Sequence, residues 1–300
     1  MGVRQVGRLF RDAYTSWNEK DPFRQSAAIA YYAIFSLPAL LVLIINIAGF
    51  FFGTEAVNHR VLDQIAQTMG RETANQVKEM LASAIKSSSS IWATIIGVIV
   101  LISGAVGVFL ELQKSLNMIW EVKTTKQKGI WPIVRARLFS FGLIMAIGFL
   151  LLISLVVSTA LAALSTRLDA GDSVWLAVLF HTLDLAISFV VISVLFALMF
   201  KILPDVKNSW RDVFVGAMLT AVLFLIGKTA ITFYFGKANP GSGYGAAGSI
   251  VLILLWVSYS SMILFYGAEF TKVYSVARSG KIKPTMIAKK EPRSHKPNAA

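Results

Sequence analysis

Residues 241–274 read GSGYGAAGSIVLILLWVSYSSMILFYGAEFTKVY, and this stretch decides the fold of the whole chain. A glycine-rich turn is followed by about twenty uncharged residues, and the first charges after them are Glu269 and Lys272. At about 1.5 Å of rise per residue, a helix from Ser249 to Ala268 would cross the roughly 30 Å hydrocarbon layer of a bilayer. The stretch therefore predicts a membrane-spanning helix.

The overall composition also indicates a membrane protein. Of the 300 residues, 56% are hydrophobic and 15% are charged, whereas soluble domains carry about 25% charged residues. The chain has no cysteine, which excludes disulfides, thiol nucleophiles and thiolate metal sites. A formal net charge of +13 would suggest nucleic acid in a soluble protein. In a membrane protein, the positions of the basic residues along the chain indicate which partner they contact.

Six apolar stretches are long enough to cross a bilayer. The sequence therefore predicts an all-α polytopic membrane protein with six transmembrane helices inside a membrane domain of residues 21–274. Asp21 and Pro22 are predicted to start the first helix as its N-cap and first residue, and Pro38 can kink it. The six spans are predicted at about residues 27–52, 91–110, 138–164, 174–200, 213–235 and 246–273.

Three segments flank or interrupt the predicted spans. Residues 1–20 are predicted to form an amphipathic cytoplasmic helix, which either lies in the membrane interface or packs as a soluble helix. Residues 53–90 are predicted to form an external cap of two amphipathic helices separated at Gly70. Residues 275–300, which are rich in lysine and proline, are predicted to be a disordered basic cytoplasmic tail. The apolar stripe of the first segment is Val3, Val6, Phe10, Ala13 and Trp17.

The distribution of basic residues predicts the orientation in the membrane. With a cytoplasmic N-terminus, the inner segments carry 22 of the 29 Lys and Arg residues, and the outer segments carry six. The positive-inside rule then selects a topology with both termini in the cytoplasm. Because the surplus charge faces the anionic cytoplasmic leaflet, we expect it to contact lipid headgroups, and nucleic acid is not needed to explain it.

Four segments of the chain resemble the YihY/BrkB family of bacterial inner-membrane proteins. They are QSAAIAYYAIFSLPALLVLI (25–44), LNMIW (116–120), LPDVKNSWRDVFVGAMLTAVLF (203–224) and GYGAAGSIVLILLWVSYSSMILFYGAEFTKVY (243–274). The resemblance covers about residues 20–275 and implies a multi-pass protein of the bacterial inner membrane, with six helices and cytoplasmic termini. Members of the family have carried ribonuclease BN and virulence-factor labels, and a role in transport or lipid handling. The resemblance implies no catalytic motif.

Polar residues inside the predicted spans are candidates for a functional site, because an unpaired charge near the membrane midplane costs several kcal/mol. Asp184 and Lys228 lie at similar depths in the fourth and fifth spans. His181 precedes Asp184 by three residues and shares its helix face, and Asn46 lies in the first span. Asp184 and Lys228 either form a static ion pair between helices or line a path for substrate or protons.

A second candidate set lies at the cytoplasmic mouth, where side chains can meet lipid headgroups. Arg24 and Gln25 precede the first span, and Arg24 can equally serve as a snorkelling anchor. Glu269 and Lys272 are three residues apart near the inner end of the sixth span, and this spacing favours an ion pair.

The sequence does not predict an enzyme, and it predicts no metal or cofactor. A nuclease would need a metal site in the cytoplasm, where Asp205 and Asp212 are available. Asp205 sits in a short basic loop, however, and capping the fifth span is its simpler role.

We expect a transporter or flippase-like protein for an anionic lipid or a related amphiphile. Its partners are then membrane lipids, with envelope proteins also considered. The alternatives are a non-catalytic scaffold that recruits envelope partners through residues 53–90, and a membrane-bound ribonuclease.

Overall fold

The computed structural model is predominantly helical. It describes residues 3–69, 71–86, 107–124, 164, 174–238, 240, 242–280 and 288–290, and the structural statements that follow concern these residues. Their helices are α1 Val3–Glu19, α2 Pro22–Phe52, α3 Thr54–Met69, α4 Arg71–Lys86, α5 at 107–119, α6 Val174–Ile202, α7 Trp210–Ala238 and α8 Gly248–Ser279.

Three described helices are long and apolar enough to cross a membrane. These segments are Val178–Ile202 in α6, Trp210–Ala238 in α7 and Ile250–Ser279 in α8. They correspond to the fourth, fifth and sixth predicted spans. The second span and the third span lie almost entirely outside the described residues, so the six-span topology and its orientation stay predictions.

The last three spans form the centre of the described fold. α6 packs along α7, α7 along α8, and α2 along α8. The loop between α6 and α7 is short, so the two helices run antiparallel. Trp120, Phe200 and Phe265 are almost completely buried in the main apolar cluster. Because this cluster combines side chains from α2, α5, α6, α7 and α8, burial of these side chains holds the five helices together.

α7 and α8 approach closely through a reciprocal pair of glycines and threonines. A Cβ atom on Gly216 would lie 1.8 Å from Thr271 Oγ1, and one on Gly267 would lie 1.8 Å from Thr220 Oγ1. Each threonine stands four residues after a glycine of its own helix and donates its hydroxyl hydrogen bond to that glycine's carbonyl oxygen. Only glycine leaves room for the facing threonine, so this crossing depends on both glycines.

The start of α2 matches the prediction in position but not in chemistry. Pro22 is the first residue of the helix and Asp21 is its N-cap. Asp21 has a left-handed backbone (φ 51°), and its side chain makes no capping hydrogen bond. The carboxylate instead accepts a hydrogen bond from Arg24 Nε at 2.9 Å.

Two helices occupy the insertion after α2, as the apolar spacing predicts. α3 ends at Met69 and α4 begins at Arg71. Val57 of α3 and Val77 and Leu81 of α4 are buried together with Ile253 of α8. The pair is thus attached to the spanning bundle by apolar packing. Its position on the external face stays a prediction.

The structure describes residues 275–280 and 288–290 of the predicted tail. α8 continues to Ser279, because Ser275 Oγ and Arg278 Nη1 donate hydrogen bonds to Asp212 of α7 at 3.0 and 2.8 Å. Further on, Ala288–Lys290 (β2) pairs antiparallel with Val122–Thr124 (β1). Composition alone does not reveal either contact, since both depend on partners far away in the chain.

Candidate functional site

A group of buried charges joins the ends of α1, α5 and α8. We name Ser16, Lys20, Glu121, Glu269 and Lys272 the charge cluster. The Glu269 side chain is completely buried, and its two carboxylate oxygens contact different lysines. Glu269 Oε2 lies 2.8 Å from Lys20 Nζ, and Oε1 lies 2.8 Å from Lys272 Nζ. The Ser16 hydroxyl also donates a hydrogen bond to Oε1.

The charge cluster extends through Lys272 and Lys20 to α5. Lys272 Nζ lies 2.9 Å from Glu121 Oε1, and Lys20 Nζ donates a hydrogen bond to the carbonyl oxygen of Ile119 at 2.8 Å. Glu121 follows α5 in a left-handed conformation (φ 53°). In the cluster, two carboxylates and two ammonium groups balance in charge. This balance makes the burial tolerable, because each unpaired ion would lose several kcal/mol of hydration.

Lys20 has the perturbed acidity expected of such a site. Burial lowers the pKa of Lys20 from its usual value of 10.5 to about 8, although Glu269 opposes the shift. Lys20 lies between α1 and α2, outside the spanning segments. It therefore approaches its titration point in mildly alkaline solution.

The predicted mouth residues occupy two different environments. Arg24 is exposed on α2 and pairs with the exposed Asp21. Gln25 is buried, and its Nε2 donates hydrogen bonds to the carbonyl oxygen of Lys20 and to Met118 Sδ, the latter at 3.5 Å. Glu269 and Lys272 form the ion pair that their spacing favours. Their burial reduces direct access of headgroups to this pair.

The two inner aspartates predicted as possible metal ligands serve structural contacts instead. Asp205 Oδ2 accepts a hydrogen bond from Asn117 Nδ2 at 2.8 Å, and Asn117 Oδ1 accepts one from the backbone N–H of Asp205, also at 2.8 Å. These contacts tie the loop before α7 to α5, so Asp205 bridges two segments of the chain. In the described part of the chain, no group of three or more His, Asp or Glu side chains could hold a metal ion.

An apolar cavity of about 220 Å³, largely open at the protein surface, lies among α2, α5, α6, α7 and α8. Two serines of α8, Ser260 and Ser261, are the polar members of an otherwise apolar lining. Ser260 Oγ is buried and has no hydrogen-bond partner among the residues described. A ligand that enters the cavity would therefore meet hydrocarbon surface and one unsatisfied hydroxyl. The lining residues are Ile29, Leu112, Phe196, Met199, Phe224, Trp256, Val257, Ser260, Ser261 and Leu264.

The predicted intramembrane residues lie away from this lining. Asp184 is exposed on α6, and Lys228 is half-buried on the neighbouring α7. Each lies 18 residues from the connecting loop, counted from Ile202 and Trp210 respectively. The ion pairs seen among described residues do not join these two side chains. The side chains of His181 and Asn46 fall outside the described part of the structure.

Comparison with known proteins bears on this membrane bundle. A family model described as virulence factor BrkB matches residues 13–292, which is nearly the whole chain. The chain belongs to the BrkB family. This confirms the family resemblance carried by the quoted segments. No solved structure matches the chain.

Three relatives of this BrkB protein carry the description UPF0761 membrane protein. The chain is 26% identical to the UPF0761 membrane protein of Saccharophagus degradans over 90% of its own length and 60% of the relative's. It is 23% identical to that of Alcanivorax borkumensis, over 87% and 58%. It is 24% identical to that of Pseudoalteromonas atlantica, over 89% and 86%. The chain thus spans about three fifths of the length of the first two relatives. The protein is an integral membrane protein of this family.

Sequence reasoning missed three of the five residues of the charge cluster in the BrkB chain. Ser16 and Lys20 were not predicted, because their partner Glu269 is 253 and 249 residues away, and Glu121 was not predicted, because its partner Lys272 is 151 residues away. The sequence does mark the position of Lys20, because this residue directly precedes the Asp21–Pro22 start of α2 and so lies at the turn between two helices.

Proposed function

We propose that this protein binds and moves an anionic lipid or a similar amphiphile across the membrane, as a transporter or flippase-like protein. The observation that carries the proposal is the apolar cavity among α2, α5, α6, α7 and α8. A cavity inside a spanning bundle is accessible to molecules already dissolved in the bilayer. An apolar lining with very few polar groups suits a hydrocarbon chain better than a hydrophilic solute.

The size of the cavity points to one chain of an amphiphile and not to a whole lipid. Its volume of about 220 Å³ is below the roughly 300–1,000 Å³ of pockets that enclose complete drug-sized ligands. The remainder of the ligand would then stay outside the cavity. Ser260 Oγ can donate a hydrogen bond to an ester or carboxyl oxygen at the chain's polar end, which would relieve the cost of burying an unpaired hydroxyl.

Asp184 and Lys228 are proposed as the polar part of the same pathway. They lie at equal distances from the connecting loop on neighbouring spanning helices, where charged groups mark substrate or ion routes more often than packing contacts. We include His181 and Asn46 in the proposed pathway, because the sequence places both of them inside predicted spans. We further propose that the protein lies in the bacterial inner membrane with both termini in the cytoplasm, which places the charge cluster at the cytoplasmic side.

Neutralising the intramembrane charges should reduce transport without preventing insertion. We expect Asp184→Asn and Lys228→Ala each to lower the flux of a fluorescent anionic lipid in reconstituted liposomes by about tenfold or more, since each removes a charged group that the proposed pathway would use. Lys237→Ala, at the exposed end of α7, is the matched control and should retain flux. Normal flux in both test variants would remove these residues from the pathway.

Filling the cavity should block the entry of a lipid chain. Trp256 lines the cavity, so a lipid with brominated acyl chains should quench its fluorescence in the native protein. The variant Trp256→Phe shows how much of the total quenching comes from Trp256. Ser260→Phe places a ring in the cavity, and we expect it to remove most of that contribution. Leu255→Phe is the control, because Leu255 is exposed on the same helix. Equal quenching in Ser260→Phe and the native protein would show that no chain occupies the cavity.

A further inference from the structure

The helix α1 has two apolar sides, and only one of them is covered by the residues that the structure describes. Leu9 and Ala13 are buried against Phe270 of α8. Phe10 and Tyr14 lie on the adjacent side and are 36% and 57% exposed. The apolar stripe predicted from the sequence is therefore rotated about the helix axis, by part of a turn, from the side of α1 that is buried. Packing among the described residues does not account for the second apolar side.

Charged residues are sorted around α1 in a fixed order. At 3.6 residues per turn, Arg11 and Arg4 lie about 60–80° around the helix from Tyr14, and Arg8 lies about 120° from it, at the border with the acidic residues. Asp12 and Glu19 follow beyond the arginines, on the edge farthest from the aromatic side. All five of these charged residues are exposed. Around the helix, the order is thus protein contact, exposed aromatics, basic residues and acidic residues.

The contacts of α1 place it at the end of a spanning helix. The ring of Phe10 lies 5.0 Å from that of Phe270, and the Tyr266 hydroxyl donates a hydrogen bond to the Phe10 carbonyl oxygen at 3.4 Å. Trp17 meets the Tyr266 ring edge-on at 6.0 Å. Both α8 residues lie in the second half of the segment Ile250–Ser279, next to Glu269, the first charged residue of that segment. At such ends hydrocarbon gives way to headgroups, and aromatic side chains are enriched there.

We propose that the aromatic and basic sides of α1 are a docking surface for an anionic lipid leaflet, at the Ser279 end of α8. Phe10 and Tyr14 would enter the boundary between acyl chains and headgroups, and the three arginines would contact lipid phosphates. Charge complementarity selects this occupant over a protein partner, because the basic residues border the aromatic side and the acidic residues are turned away from it. The proposal is independent of transport by the cavity.

The absence of cysteine from the chain allows a direct test with single labels. A bimane fluorophore is attached to Tyr14→Cys in the full-length protein, which is reconstituted with phosphatidylcholine and phosphatidylglycerol. We expect doxyl-labelled lipid to quench the label at residue 14 and aqueous iodide to quench it poorly. A label at Asp12→Cys should show the opposite pattern. Gly7→Cys is a second test position, since a Cβ atom there meets nothing within 4 Å.

Selectivity for anionic lipid is read from the same label. Doxyl-phosphatidylglycerol should quench residue 14 several-fold more than doxyl-phosphatidylcholine at equal mole fraction, because each basic residue near an anionic surface contributes about a fivefold preference. The combined variant Arg4→Gln, Arg8→Gln and Arg11→Gln should bring this ratio close to one. The control variant Arg60→Gln, Arg71→Gln and Lys78→Gln removes equal charge from exposed positions on α3 and α4, and it should leave the ratio unchanged.

Two results would overturn the docking surface. The first is strong iodide quenching at residues 14 and 7, which would place this side of α1 in water. The second is equal quenching by the two doxyl lipids in the native protein, which would show that the leaflet's charge is not recognised.

Discussion

Replacing Glu269 by glutamine is expected to destabilise the folded protein by about 3–5 kcal/mol, because it leaves buried cations without their partner. Lys20 and Lys272 both lie 2.8 Å from the carboxylate of Glu269, which is completely buried. Glutamine keeps the shape of the side chain but removes its charge. Lys272 retains Glu121 at 2.9 Å, so Lys20 should bear most of the loss. The measurement is the free energy of unfolding in detergent micelles.

A surface pair of the same kind provides the control for Glu269. Arg24 lies 2.9 Å from Asp21, but both side chains are more than half exposed. Arg24→Gln should therefore change stability by less than about 1 kcal/mol. Adding Lys20→Met to Glu269→Gln should recover part of the loss, since it removes the uncompensated cation. If Glu269→Gln and Arg24→Gln lower the free energy of unfolding by the same small amount, the charge cluster does not hold α1, α5 and α8 together.

Replacing Gly216 or Gly267 by alanine is expected to cost about 1–3 kcal/mol each, through overpacking of the α7–α8 crossing. The new methyl group would begin 1.8 Å from a threonine hydroxyl of the facing helix, so the helices must separate or the threonine must rotate. Rotation would break the hydrogen bond from Thr271 to the Gly267 carbonyl oxygen, or from Thr220 to that of Gly216. Thermal unfolding of the purified variants measures the loss.

Gly236 gives a matched control on the same helix. A Cβ atom at Gly236 meets nothing within 4 Å, and the residue is exposed. Gly236→Ala should therefore stay within about 0.5 kcal/mol of the native protein. The double variant Gly216→Ala with Thr271→Ala should regain part of the stability, because the clashing hydroxyl is gone. Equal stability of Gly216→Ala and Gly236→Ala would contradict the close crossing.

The spanning helices were predictable because their signal is local. Long apolar runs predict α6, α7 and α8 within a few residues, and apolar spacing predicts the division between α3 and α4. The pair of Glu269 and Lys272 was also predictable, since one helical turn separates them. Small residues that allow close helix approach are recognisable in a sequence, but the pairing of Gly216 with Thr271 and of Gly267 with Thr220 depends on how α7 and α8 meet.

The remainder of the site depends on contacts between distant segments. Lys20 and Glu269 are 249 residues apart, and no periodicity connects them. Glu121 reaches Lys272 only because the chain turns through a left-handed residue after α5. The cavity is likewise a gap among five helices, and a gap has no signature in any one of them. The positions of Asp184 and Lys228 along their helices were predictable, whereas the direction in which each side chain faces was not.

α8 contributes residues to both the cavity and the charge cluster. Its residues 256–264 contribute half of the cavity lining, and Glu269 and Lys272 on its next turns hold the charge cluster. A shift of α8 along its axis would change both sites together. The charge cluster therefore resists such a shift, and the close crossing with α7 restricts it further.

The most direct test of the account is the transbilayer movement of a labelled anionic lipid in liposomes that contain the purified protein. We predict that the native protein moves the lipid faster than protein-free liposomes do, with or without an imposed proton gradient of either direction, and that Ser260→Phe reduces this rate while Leu255→Phe does not. A native rate equal to that of protein-free liposomes under all these conditions would contradict the proposal that this membrane protein transports amphiphiles.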